Sequence, residues 1–103
     1  MMKEKIADEM DVRVTHGSGN VFVDLGFDDA EARVLLMRAD LMIALTRFIR
    51  DKKWTQAEAA KRMGITQPRV SKLKKGAWEE FSLDMLLTLA TRAGLYMELK
   101  LAA

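Results

Sequence analysis

The chain has 103 residues, 50% of them hydrophobic and 31% charged, with a formal net charge of +2. That length suits one small domain with a single core and excludes a multi-domain enzyme. With no Cys and one His, His16, it lacks the material for disulfide staples, thiol catalysis, thiolate metal sites or a His-dependent triad, and it fits a reducing cytosol.

The net charge is unevenly spread. Residues 1–46 carry five basic and nine acidic side chains, and residues 76–103 carry two basic and four acidic. Between them, Arg47, Arg50, Lys52, Lys53, Lys61, Arg62, Arg69, Lys72, Lys74 and Lys75 face only Asp51 and Glu58. A basic middle of this kind points toward a polyanionic partner, with a solvated basic face as the plain alternative.

Residues 1–11 mix Lys3, Glu4, Lys5, Asp8, Glu9 and Asp11 and have no apolar h-region, so they do not read as a signal peptide. The most apolar stretch, residues 39–49, is interrupted by Asp40 and Arg47 and is too short to span a bilayer. A soluble, cytoplasmic protein with no membrane contact is expected. Val12 and Val14 alternate with polar residues, Gly17-Ser18-Gly19-Asn20 supplies turn chemistry, and Val21 and Val23 alternate again. Residues 1–27 therefore read as an N-terminal arm or hairpin, and residues 28–103 as the folded domain.

Asp28 or Asp29 can cap a helix running to about Lys53, with acids at its positive end and Arg50, Lys52 and Lys53 at its negative end. Leu35, Ala39, Met42, Leu45 and Ile49 form one apolar stripe; Val34, Met37, Leu41, Ala44 and Phe48 form an adjacent one. The second stripe fits either a partner surface or a helix central to the core.

The strongest pattern lies between Thr55 and Gly76. Thr55 followed by Glu58 is a capping box, with Trp54 placed to staple against Ala59. Gly64 can end that helix in the left-handed conformation. Thr66 then caps a second helix that tolerates Pro68 in its first turn, and Gly76 closes it. Two short helices joined by a three-residue turn with Gly make a helix-turn-helix unit, here residues 55–76. Ala60 is small where the helices cross, and Ala59, Met63, Ile65, Val70 and Leu73 supply its buried side. The outward side of the second helix is Gln67, Pro68, Arg69, Ser71, Lys72 and Lys75, and Gln and Arg can make bidentate contacts to adenine and guanine edges. A capped hairpin with a solvated outer face is the bland alternative.

Further on, Ser82 caps a helix over residues 83–92 that Gly94 closes. Leu95, Met97, Leu99 and Leu101 then alternate with Tyr96, Glu98 and Lys100, which predicts a β-strand over residues 95–101. Such a strand needs a partner, either residues 12–23 or the same strand of a second protomer. Trp54 is expected to be a core lid and Trp78 to pack between the third and fourth helices. Asp28-Asp29 and Glu79-Glu80 read as helix-start and loop charges rather than an acid/base pair, and no Gly-rich phosphate loop is present. These features point away from an enzyme and imply no cofactor or metal.

Thr55-Gln56-Ala57-Glu58, Gly64-Ile65-Thr66-Gln67, Val70-Ser71 and Gly76 resemble the Cro/repressor (XRE-type) helix-turn-helix family, over about residues 33–93. Residues 20–27, followed by Asp29-Ala30-Glu31-Ala32 and by Phe81-Ser82-Leu83-Asp84, are similar to short members of that family known as HigA-like antitoxins. The resemblance implies a mainly α fold: a lambda-repressor-like helix-turn-helix bundle with a long first helix and, here, a short C-terminal β-strand. It places the second helix of the motif in the major groove. Gln67 and Arg69 resemble its base-reading positions, Lys72 one a turn later, and Gln56 its phosphate-contacting glutamine. Thr66 and Ser71 complete that face, and Lys74 and Lys75 would flank the DNA backbone. Pro68 departs from the polar residue often found there and can offer only a thymine-methyl contact. The resemblance further implies a homodimeric repressor on a palindromic operator, and an antitoxin role toward a small basic RelE/HigB-like toxin. A protein- or RNA-binding adaptor that reuses the fold is the competing reading.

Overall fold

Every α-helix among the described residues begins at a capping side chain, so single residues set where the helices start. The computed structural model describes residues 20–102; the expectations for residues 1–19, His16 included, lie outside the described residues. Asn20 caps α1 (Val21–Asp24), and Asp28 caps α2 (Asp29–Asp51). Thr55 caps α3 (Gln56–Met63), Thr66 caps α4 (Gln67–Lys74), and Ser82 caps α5 (Leu83–Ala93). One 3-10 turn, Trp78–Glu80, joins α4 to α5. At α2 the cap is reciprocal: the Glu31 N–H donates to Asp28 Oδ1 at 2.8 Å, and the Asp28 N–H donates to Glu31 Oε1 at 3.4 Å.

Helix ends follow the same local logic, with one exception. Gly94 closes α5 at φ 104°, and the Leu95 N–H reaches back to the Ala90 carbonyl at 2.9 Å. At the end of α2, however, the left-handed position is filled by Lys53, φ 59°, while the Trp54 N–H donates to the Ile49 carbonyl at 3.2 Å. A side chain with a Cβ is strained in that conformation.

Helix α2 runs through the centre of the molecule. Its stripe Leu41, Met42, Leu45 and Ile49 is buried against Ala59, Ala60 and Met63 of α3, Val70 and Leu73 of α4, and Leu86, Leu89, Ala90 and Ala93 of α5. Phe81, fully buried, closes the core below the 3-10 turn. The first half of α2 supports a second cluster: Phe22, Ala32 and Leu35, with Phe27, Leu36 and Ala39 packed around them. The second α2 stripe is divided. Leu41 is buried and Phe48 packs on the core, whereas Val34 and Met37 are exposed.

The fold departs from expectation at both ends. No strand occurs among the described residues, so the predicted C-terminal β-strand over 95–101 is absent. Leu95 is buried and Met97 packs on the core, but Tyr96, Leu99 and Leu101 are 86%, 88% and 93% exposed. Alternating side chains do not make a strand when no neighbouring backbone pairs with its N–H and C=O groups. Val21 and Val23, expected to be extended, lie in α1: Asn20 Oδ1 accepts from the Phe22 N–H at 2.9 Å, while Asn20 Nδ2 donates to the Ala32 carbonyl at 3.3 Å. The local cap turns the chain, and α2 anchors it.

Two stability outcomes follow for chemical denaturation. Lys53→Gly relieves the left-handed strain and is expected to raise unfolding stability by about 0.5–1 kcal/mol. Leu45→Ala, at the fully buried centre of α2, is expected to cost about 2–5 kcal/mol.

Candidate nucleic-acid interface

The interface is built on the approach of α3 to α4. Ala59 and Ala60 are buried where the helices meet, and Val70 and Leu73 fill the other side of the contact. Only Gly64, Ile65 and Thr66 join the helices. Gly64 adopts φ 70°, and the Ile65 N–H donates to the Ala60 carbonyl at 3.1 Å. Glycine suits this position through its φ; a Cβ there would lie 3.2 Å from Arg92 Nη1, a tight contact with the end of a flexible side chain. That same Arg92 nitrogen donates to the Met63 carbonyl at 3.1 Å, so α5 satisfies the open end of α3 and braces the turn.

The two helix starts are tied together by a second bond. Gln56 Nε2 donates to the Gln67 carbonyl at 3.2 Å, linking the first turn of α3 to the first turn of α4. Thr66 Oγ1 accepts from the Arg69 N–H at 3.3 Å, so this hydroxyl serves as the α4 cap.

With Val70 and Leu73 inward, helical spacing puts Pro68, Ser71, Lys72 and Lys75 on the outward row of α4, beside Gln67. Ser71 is half-buried and the other four are exposed. The two flanks of this row differ. Lys74 lies on the α2 side, where it lines an apolar groove of about 360 Å³ together with Arg47, Arg50, Ile43 and Trp78. On the α5 side the cations are engaged. Lys72 Nζ donates to both carboxylate oxygens of Glu80, at 3.0 and 3.2 Å. The Arg69 guanidinium stacks over the Phe81 ring at 4.5 Å and donates from Nη2 to the Glu80 carbonyl at 3.5 Å and to Met85 Sδ at 3.1 Å.

The structure thus brings Gln56, Thr66, Gln67, Pro68, Ser71, Lys72 and Lys75 to one end and face of the motif. It turns Arg69 toward α5 and Lys74 toward α2. Arg62 is also engaged, 4.6 Å over the Trp54 ring and 2.6 Å from Glu58 Oε2. Trp54 meets Phe48 edge to face at 5.6 Å. Trp78 is half-buried and packs on both core clusters. It packs edge-on against Phe22 at 5.2 Å and Phe27 at 6.2 Å, and its carbonyl accepts from Arg38 Nη1 at 3.2 Å. Glu80, Phe81, Met85 and Arg92 shape the interface but carry no spacing signal that would have singled them out.

Three packed helices with a tight central turn, and a polar row of α4 facing outward, define a helix-turn-helix domain, the class of fold that places its second helix against DNA. A family described as a helix-turn-helix domain matches residues 21–102, and the chain belongs to that family. No curated protein and no solved structure matches the chain. None of the helices among the described residues is long and apolar enough to cross a membrane.

The brace across the turn is open to measurement. Arg92→Ala leaves the Met63 carbonyl to water and is expected to lower unfolding stability by about 1 kcal/mol, with helix content by circular dichroism unchanged.

Proposed function

We propose that the chain is a sequence-specific, double-stranded DNA-binding transcriptional repressor of the Cro/repressor type. The observation that carries this reading is the outward row of α4, with Gln67, Pro68, Ser71, Lys72 and Lys75 presented together above the tight α3–α4 packing. Placed in a major groove, Gln67 reads an adenine edge, Ser71 and Lys72 reach base edges a turn further on, and Pro68 meets a thymine methyl. Gln56 stands at the paired helix starts, where an amide N–H and the positive helix ends suit a phosphate. Lys74 and Lys75 meet the DNA backbone on either side. Arg69 serves this reading by fixing the pose of α4 from its place on Phe81.

The protein acts as a homodimer on a palindromic operator, with half-sites separated by about one helical turn, roughly 34 Å. Its antitoxin role is supported by the likeness to HigA-like sequences and by α2, where exposed Val34 and Met37 adjoin the acidic first turn of Asp29 and Glu31. That surface suits a small basic toxin of the RelE/HigB type, and stable co-purification with such a protein encoded next to it is the expected result.

An RNA-binding reading is less well supported. Single-stranded RNA is held by stacking on exposed aromatic rings. Here Phe22 and Phe81 are buried, Phe27, Phe48, Trp54 and Trp78 are half-buried in packing, and only Tyr96 is largely exposed.

The test is selection from a randomised duplex library. The wild-type chain is expected to enrich a palindromic sequence, and the Gln67→Ala/Ser71→Ala/Lys75→Ala variant to lose that preference while keeping its unfolding midpoint within a few degrees. With about three phosphate contacts per half-site, log affinity is expected to fall with log salt at a slope of about −5. Enrichment of no sequence, or the same sequence from the variant, contradicts the proposal.

A further inference from the structure

Glu80 lies outside the helix-turn-helix, yet it engages both cations on the α5 flank of α4. Its carboxylate takes two hydrogen bonds from Lys72, and its carbonyl takes one from Arg69. The backbone that carries Glu80 is itself held in place. Its N–H donates to the Ala77 carbonyl at 3.0 Å, Trp78 on one side is clasped by Phe22, Phe27 and Arg38, and Phe81 on the other is fully buried. A carboxylate on a fixed stretch of backbone therefore faces a long, flexible lysine. The Lys72 and Glu80 side chains are 51% and 41% exposed, so the pair can open to solvent and to DNA.

We propose that Glu80 is a specificity-determining residue: it competes for Lys72 with the DNA phosphates that this lysine would otherwise meet on sequences offering it no base edge. The proposal rests on the DNA-binding reading above. Sequence-independent binding is made almost entirely of phosphate contacts and the counterions they release. A lysine already neutralised by a carboxylate contributes little to either, and the carboxylate also repels a nearby phosphate. At the correct site, base-edge contacts by Gln67 and its neighbours offset the cost of opening the pair. On other sequences nothing offsets it. Glu80 thus lowers background binding more than operator binding.

Glu79 supplies the internal control. It precedes Glu80, carries the same charge, is exposed, and has no hydrogen bond or ion pair among the described residues. The experiment measures anisotropy of a labelled random-sequence duplex across a salt series, with the wild-type chain, Glu80→Gln, Glu79→Gln, Lys72→Ala and Lys72→Ala/Glu80→Gln. Glu80→Gln is expected to tighten binding by about two- to fivefold, the range of one exposed ion pair. It is also expected to steepen the salt slope by about 0.9, the value of one more neutralised phosphate. Glu79→Gln is expected to change affinity by less than half as much and to leave the slope unaltered. In the Lys72→Ala background the Glu80→Gln gain is expected to vanish. A gain no larger than that of Glu79→Gln, or one that survives Lys72→Ala, overturns the role of Glu80 while leaving DNA binding standing. Failure of every variant and of the wild-type chain to bind duplex overturns both.

Discussion

The interface depends on how closely α3 and α4 can approach through a turn of only three residues. Ala59 and Ala60 present almost no side chain at the contact, and Gly64 takes a left-handed conformation beside the Arg92 guanidinium. A larger side chain at Ala59 or Ala60 meets the packed core, and one at Gly64 is strained by its φ. The rest of the fold serves this approach. Leu45 and Ile49 of α2 form its floor, Leu86, Leu89 and Ala90 of α5 form its wall, and Arg92 and Gln56 bond the turn and the helix starts from opposite sides. The outward row of α4 holds a single orientation because its inward row, Val70 and Leu73, is fully enclosed.

Electrostatics on this scaffold is more selective than the count of basic residues implies. Of the cations between Arg47 and Lys75, Arg62 stacks on Trp54 and pairs with Glu58, Arg69 stacks on Phe81, and Lys72 is held by Glu80. Exposed pairs of this kind contribute little to stability. Their larger effect is on which positive charges stand free to meet a polyanion. Lys75, on the outward row, and Lys74, beside Arg47 and Arg50, are exposed and form no ion pair among the described residues.

Much of this architecture is legible in the sequence because it is local. Asp28, Thr55, Thr66 and Ser82 bond N–H groups three residues ahead, and Gly64 and Gly94 end helices through their own φ; these effects reach only one turn. The inward residues of α2 follow from helical spacing. Residues 95–101 mislead because alternation describes side chains, whereas a strand depends on a neighbouring backbone that the described residues do not supply. Val21 and Val23 mislead in the opposite direction, since the Asn20 cap outweighs a two-residue alternation. At the candidate site, the outward row of α4 is readable from period alone. The turning of Arg69 onto Phe81 and the pairing of Lys72 with Glu80 are not, because they depend on where a loop eight to sixteen residues away comes to rest. Trp78 belongs to the same class: it joins the two clusters by meeting aromatic rings some fifty residues earlier in the chain.

If α4 is the element that enters the groove, contact with duplex must be felt there first. Amide chemical shifts recorded while the chain is titrated with a short DNA duplex measure this residue by residue. The account predicts that the largest shifts cluster on Gln56 and on Gln67, Ser71, Lys72 and Lys75, with the buried amides of α2 little changed. Shifts concentrated on the exposed face at Val34 and Met37, or on residues 95–101, with α4 unmoved, would contradict it.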